Sequence, residues 1–397
     1  MQLWIKLFLV VYGLLSITHL LIQIFRSEKN YINIKKNSKH DSLKEYINVS
    51  VILPIYNEKK EIVTKVIKSI LRQKKVNLEL IIIDDKSDNR QELFENVYSC
   101  YKHNSIVNIL YPKKNIGKRH CQKLGFDIAS GDYIVTIDSD TILKDELSIY
   151  KLSKGFIKDK MIGGITGNVE VENKSLNLLT KLISYRYWMA FNQEREAQSL
   201  SGVVMCCSGP FSIYKKNIIN KIKHKYIKQR FLGVNCTYGD DRHLTNLILA
   251  EGYKTIYDNT ATAYTYVPDN IRTYIKQQIR WNKSFYREML WTFKFSLKKP
   301  FYLLYDLLMQ LLLPIMLFFA ILILFFQFFL TMNFSILINY FIILVLVALI
   351  RIIYAIYRTK DVGFLTFIIY GFIHISILLP VRIYAICNLK DNKWGTR

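Results

Sequence analysis

The chain lacks several features that commonly announce a function. Its six cysteines, Cys100, Cys121, Cys206, Cys207, Cys236 and Cys387, form no CxxC pair and no His/Cys spacing suited to a metal, so neither a zinc module nor a disulfide framework is expected. No Gly-rich loop accompanies its short apolar runs, which disfavours dinucleotide-binding and P-loop chemistry. Acidic residues are few, 31 against 55 Lys and Arg, for a net charge of +24. Such an excess collects phosphates, yet no recognisable nucleic-acid-binding module accompanies it, and nucleic acid is not expected as a partner. Nothing in the sequence specifies an oligomeric state.

What is present begins with membrane-grade hydrophobicity. Residues 3 to 25 hold one fixed charge, Lys6, and are long enough to cross a hydrocarbon core of ~30 Å. No small-residue cleavage site follows, so a retained helix is expected. Apolar character returns in blocks at roughly 303 to 331, 334 to 357 and 362 to 387. Basic residues flank these blocks at Arg26, Lys29, Lys35, Lys36, Lys298, Lys299, Arg358, Lys360, Lys390 and Lys393. By the positive-inside rule they place the intervening domain in the cytoplasm of a multi-pass plasma-membrane protein, in contact with membrane lipids. Gly371 and Pro380 interrupt the last block, which predicts a broken or re-entrant segment. Arg351 either lines a polar path or snorkels to a helix end.

The expected organisation is a transmembrane helix over 1–27, a basic cytoplasmic linker over 28–47 and a globular domain over 48–270. An amphipathic interface segment over 271–300, transmembrane or re-entrant helices over 301–389 and a cytoplasmic tail over 390–397 follow. Within the globular part, strands are expected at Asn48–Tyr56, Leu78–Ile83, Val107–Leu110 and Tyr133–Ile137, with helices at Glu61–Arg72 and Arg119–Ala129. The alternation implies an α/β fold with a mostly parallel sheet covered on both faces. Ligands of such sheets bind beyond the carboxyl ends of the strands. Asp84-Asp85 and Asp138-Ser139-Asp140 both fall there. A lone acidic pair after a strand is more often a cap or turn former, but two on one sheet edge favour a site. Asp-x-Asp supplies hard oxygens for Mg²⁺ or Mn²⁺ and suits a nucleotide whose diphosphate is metal-held.

These motifs carry a resemblance. Val51-Ile52-Leu53-Pro54-Ile55-Tyr56-Asn57-Glu58, the two acidic motifs, Gly239-Asp240-Asp241 and Gln277 to Trp281 together resemble the processive family-2 glycosyltransferases, the cellulose, chitin and hyaluronan synthases. Within that group the chain is most similar to bacterial-type hyaluronan synthases, through Asn115 to His120, Cys207-Ser208-Gly209-Pro210, Gly239 to Asn246, Gln277 to Ser284 and Trp394-Gly395-Thr396-Arg397. The resemblance implies a GT-A-type domain and an inverting, metal-dependent polymerase using UDP-GlcNAc and UDP-GlcA, with a growing polysaccharide moved across the membrane. The chemistry-sharing alternative uses UDP-GlcNAc alone and makes chitin or chito-oligosaccharide. A non-enzymatic polysaccharide-binding or export protein is disfavoured because every candidate catalytic acid is retained.

The resemblance also implies roles. Asp241 is the candidate base, with Asp240, Gln277, Arg280 and Trp281 in the catalytic set. Asp140 and Asp138 are expected to hold the metal, and Asp84 and Asp85 to face the uridine. Lys118, Arg119 and Arg242 offer positive charge to anionic substrates. Cys207, Ser208 and Gly209 form a small-residue loop beside the acceptor, although Cys207 is equally readable as a buried small hydrophobe. Trp281 offers a face for a sugar ring.

Overall fold

The computed structural model describes residues 2–38 and 46–392. Its central feature is an eight-stranded mixed sheet in the order β3-β2-β1-β4-β7-β6-β10-β5. The strands are Ile47–Ile55 (β1), Val76–Asp84 (β2), Val107–Leu110 (β3), Tyr133–Ile137 (β4), Thr141–Leu143 (β5), Ile162–Val171 (β6), Phe211–Lys215 (β7) and Lys254–Thr265 (β10), with a separate hairpin of Arg230–Phe231 (β8) and Val234–Asn235 (β9). The β1–β2, β1–β4, β2–β3 and β6–β10 pairs are parallel, and β7 runs antiparallel to both β4 and β6. Buried on both faces, β1 and β2 are the near-continuous apolar runs that a parallel strand requires.

One layer of core covers each face. On one side the helix Lys60–Leu71 (α2, following the amino-terminal helix α1, Gln2–Ser38) buries Val63, Val66, Ile67 and Ile70 against the sheet. On the other lie Lys118–Ile128 (α3), Lys216–Ile227 (α5, after α4, Leu178–Met189) and Asp240–Ala250 (α6), joined through Phe126, Ile218, Tyr226, Leu244 and Ile248. The chain leaves β1 for β2 on one side and adds β4 on the other. This reversal opens a crevice at the carboxyl ends of the strands, where the register puts Asp84 opposite Ile55.

After β10 the chain enters the 26-residue helix Ile271–Ser296 (α7), and then Phe301–Thr331 (α8) and Phe334–Thr359 (α9). Among the described residues, four helical stretches are long and apolar enough to cross a membrane: Leu7–Lys36, Phe301–Thr331, Tyr340–Thr359 and Val362–Cys387. The last runs as one continuous helical stretch, so the expected break is not seen; only its hydrogen-bonding pattern changes along it. A 3₁₀ turn and a short helix lead into a π turn at His374–Leu378, and Pro380 sits at the start of the final helix, Leu379–Cys387 (α10). Proline has no N–H for a preceding carbonyl, and a π turn accommodates the mismatch.

One boundary needs correction. The expected break at residue 27 and linker over 28–47 do not occur as drawn, because α1 continues unbroken to Ser38. The extension is held by side chains, not by apolar periodicity. Ser27 hydrogen-bonds Tyr354 at 2.7 Å, and Arg358 reaches both Glu28 at 3.3 Å and Glu196 at 3.4 Å while its guanidinium lies 3.6 Å from the Tyr31 ring centroid. Residues 39–45 lie outside the described residues. So do Trp394 to Arg397, the last motif of the sequence reading.

Candidate active site

Three acidic turns and one lysine converge at the crevice. Gly117, with φ of +83°, swings the chain out of the third strand's connection so that Lys118 opens α3. The Lys118 ammonium lies 2.6 Å from Asp138 Oδ1 and 3.1 Å from Asp240 Oδ2. Burial disfavours its charge, but the two carboxylates outweigh that and hold its pKa well above the usual lysine value. Asp240 is the mirror case: burial pushes its pKa up, and Lys118 with Arg119 brings it below the carboxylate norm. Asp138 ends up raised, because burial and the charge of Asp240 exceed the help from Lys118.

Gly239 caps α6 in the left-handed region at φ of +79°, and Ser284 of α7 occupies the space a Cβ would need. Asp240 and Asp241 therefore sit in the first turn of α6, where exposed N–H groups favour negative charge. Asp241 accepts from the Arg242 N–H at 2.8 Å and from the Cys206 thiol at 3.4 Å. Gly209 lies across from them. A Cβ there would come within 3.1 Å of Asp138 Oδ2 and 3.2 Å of Lys118 Nζ, so a residue without a side chain lets this loop lie close against the Asp138–Lys118 pair.

Trp281 stands on α7, about half exposed, with its ring centroid 6.4 Å from that of Tyr187. Tyr187 belongs to the same cluster: burial first, and then the Asp140 carboxylate, push its phenol pKa up. Gln277 places its Oε1 in a buried position with no hydrogen-bond partner among the described residues. Arg242 stacks its guanidinium 5.1 Å from the Phe285 centroid, away from the Lys118 cluster's hydrogen bonds.

Several expected ligand residues are turned inward. Asp84 is fully buried; it accepts from the Ser87 N–H, Arg90 Nε and the Tyr98 hydroxyl at 2.9 to 3.1 Å. Asp85 accepts from the Ile116 and Gly117 N–H groups at 2.7 and 2.8 Å and so fixes the Gly117-Lys118 turn. Arg119 is also buried. Its guanidinium donates to the carbonyls of Tyr226 and Tyr238 and stacks on Tyr226, contacts that brace the loop before Gly239. Cys207 is a core residue whose N–H donates to Thr245 Oγ1 at 2.8 Å, and the Ser208 N–H donates to Thr166 Oγ1 at 3.0 Å. The thiol that touches the site is its neighbour Cys206, pushed up to about 12 by burial and the Asp241 carboxylate. A Cys-Cys pair shows nothing in sequence that says which side chain faces out. If Arg119 is a brace, Arg119→Met leaves two buried carbonyls without donors. The expected loss is about 1–3 kcal/mol of stability, seen as a lower melting temperature with UDP affinity of the folded fraction retained.

The donor set suits a divalent cation. Asp138 and Asp140 present carboxylates one residue apart on the turn after β4, both part-exposed, and Thr265 donates to Asp140 at 3.3 Å. Among the described residues no three His, Cys, Asp or Glu side chains gather as a closed metal cluster. Two carboxylates on one turn are the donor number that Mg²⁺ typically takes from a protein, with the remaining positions left to phosphate oxygens and water.

The fold and this crevice define a membrane-associated GT-A glycosyltransferase. The family model described as "Glycosyl transferase family 2" matches residues 50–223. A hyaluronan synthase of Streptococcus pyogenes serotype M3 is 36% identical over 98% of this chain and 90% of its own length. An N-acetylglucosaminyltransferase of Mesorhizobium japonicum is 33% identical over 97% of this chain and 90% of its own. Among solved structures, the mannosyltransferase PcManGT of Pyrobaculum calidifontis, in complex with GDP-Man and Mn2+, superposes with a TM-score of 0.60 at 16% identity, covering 96% of this chain and 99% of that one; the likeness is one of fold. The chain belongs to the family-2 glycosyltransferases, among the bacterial hyaluronan synthases and their N-acetylglucosaminyltransferase relatives.

Proposed function

We propose that this enzyme polymerises hyaluronan by alternating transfer from UDP-GlcNAc and UDP-GlcA, with its catalytic domain in the cytoplasm and its helices passing the product across the plasma membrane. The observation that carries this reading is near-full-length similarity to hyaluronan synthases combined with a carboxylate cluster at the strand ends beside four apolar helices. In this reading Asp241, aimed from the first turn of α6, takes the proton of the acceptor hydroxyl as the glycosidic bond forms with inversion and the bond to UDP breaks. Asp138 and Asp140 would hold Mg²⁺ or Mn²⁺, which supplies positive charge to the departing diphosphate; the Mn2+ in the archaeal mannosyltransferase supports a divalent ion. Lys118 and Arg280 add fixed positive charge beside it. Trp281 and Tyr187 form an aromatic corner on which the acceptor ring stacks. Gln277 offers an acceptor oxygen there.

Membranes supplied with UDP-GlcNAc alone, UDP-GlcA alone or both, each with Mg²⁺ or Mn²⁺, separate the candidates. Lyase-sensitive polymer is expected only with both donors, and none after thorough chelation. The second reading, a polymer of GlcNAc alone, is favoured by the rhizobial relative and would be shown by abundant product from UDP-GlcNAc by itself.

A further inference from the structure

Two donors reach the Asp241 carboxylate. Its Oδ1 accepts from the Arg242 N–H at 2.8 Å and its Oδ2 from the Cys206 thiol at 3.4 Å. The first contact is local to α6 and holds one oxygen. With that oxygen held alone the carboxylate can still rock, and the second donor removes this freedom while leaving lone pairs on both oxygens.

The thiol comes from outside α6, and the peptide unit that follows it sets its direction. The Cys206 carbonyl accepts from Arg195 Nε at 3.0 Å, and the Cys207 N–H, at the opposite edge of the same planar unit, donates to Thr245 Oγ1 at 2.8 Å. Thr245 belongs to α6 and donates its hydroxyl hydrogen to the Asp241 carbonyl at 2.7 Å. One helix thus carries both Asp241 and half of the clamp on the thiol's backbone. Arg195, the other half, is itself braced. It closes the π turn Ala190–Arg195 after α4, donates Nη1 to the Ala190 carbonyl at 3.2 Å and lies 4.2 Å from the Phe191 ring centroid. Such turns are frequent at functional sites.

Cys206 is 9% exposed. Burial first, and then the Asp241 carboxylate, push its thiol up to about 12, so the sulfur stays protonated at neutral pH. It is therefore a donor, and not a nucleophile or a metal ligand. On the footing that Asp241 is the base, we propose that Cys206 is a positioning residue for it: the S–H pins Oδ2 so that the open side of the carboxylate meets the acceptor hydroxyl, with Arg195 and Thr245 holding the thiol in register.

Single-turnover transfer by the full chain in nanodiscs, with the donors that the parent polymerises, reads the effect apart from product release. Cys206→Ala is expected to slow transfer roughly three- to tenfold with donor KM and UDP affinity unchanged. Cys206→Ser keeps a donor at the same place and should recover most of that rate, whereas a buried hydroxyl would not restore lost apolar packing. In an Asp241→Asn background, Cys206→Ala should add nothing, the non-additivity expected of two groups that act on one step. An unchanged rate in Cys206→Ala, a Ser variant as slow as Ala, a loss of UDP affinity alongside the rate, or the same loss in both backgrounds overturns the assignment. Full transfer by Asp241→Asn alone is a distinct failure: it removes the base itself, and with it any part for a group that steers it.

Discussion

Asp241→Asn is expected to cut sugar transfer by about two orders of magnitude or more while leaving UDP binding near that of the parent. The amide keeps the size of the side chain and can still accept from the Arg242 N–H, the 2.8 Å contact that sets its rotamer. What it loses is the basic oxygen. Asp240 stays in place to hold Lys118, so the variant removes one negative charge from the cluster without releasing the lysine. Isothermal titration with UDP and the divalent ion, run beside an initial-rate assay, separates the outcomes. Loss of UDP affinity together with turnover would move Asp241 into the nucleotide site and leave the base unassigned.

Trp281→Ala is expected to abolish polymer growth with fold and UDP affinity intact, whereas Trp281→Phe retains partial activity. The ring is about half exposed and meets Tyr187 at 6.4 Å, so little core packing depends on it and a free face remains for a sugar ring. Product length on a sizing gel and thermal melting of the same samples are the two readouts. A fall in melting temperature with UDP binding gone would make Trp281 a packing residue.

The parallel half of the fold was legible because buried strands are written as unbroken apolar runs and their helices as amphipathic ones. Val51 to Ile55 and Ile81 to Ile83 could hardly be anything else. The place of the candidate site was legible too, since Asp138 and Asp140 sit where a parallel sheet leaves its crevice. The direction of individual side chains did not follow. Asp84 and Arg119 stand in motifs that suggest contact with substrate, yet each is spent inside, on Arg90 and Tyr98 or on the carbonyls of Tyr226 and Tyr238. The Arg119 partners lie 107 and 119 residues along the chain, at Tyr226 and Tyr238, where no local pattern encodes them. Cys206 was missed for the same reason. The extension of α1 to Ser38 escaped notice because basic, polar sequence after an apolar run looks like a linker until residues far along the chain pair with it.

That extension bears on the order in which the protein can be completed. Glu196 is wholly buried, and even with Arg358 beside it burial pushes its pKa up to about 8. Its partners are Asn30, Asn259 and Arg358. On a ribosome, the segment around Glu196 emerges well before residue 358. Until α9 is made and inserted, this carboxyl has no cation and settles as the neutral acid or stays in water. The arrival of Arg358 then ties residues 28, 196 and 358 into one ion-paired network. A catalytic domain made without α9 would leave Glu196 buried with no Arg358 to pair it.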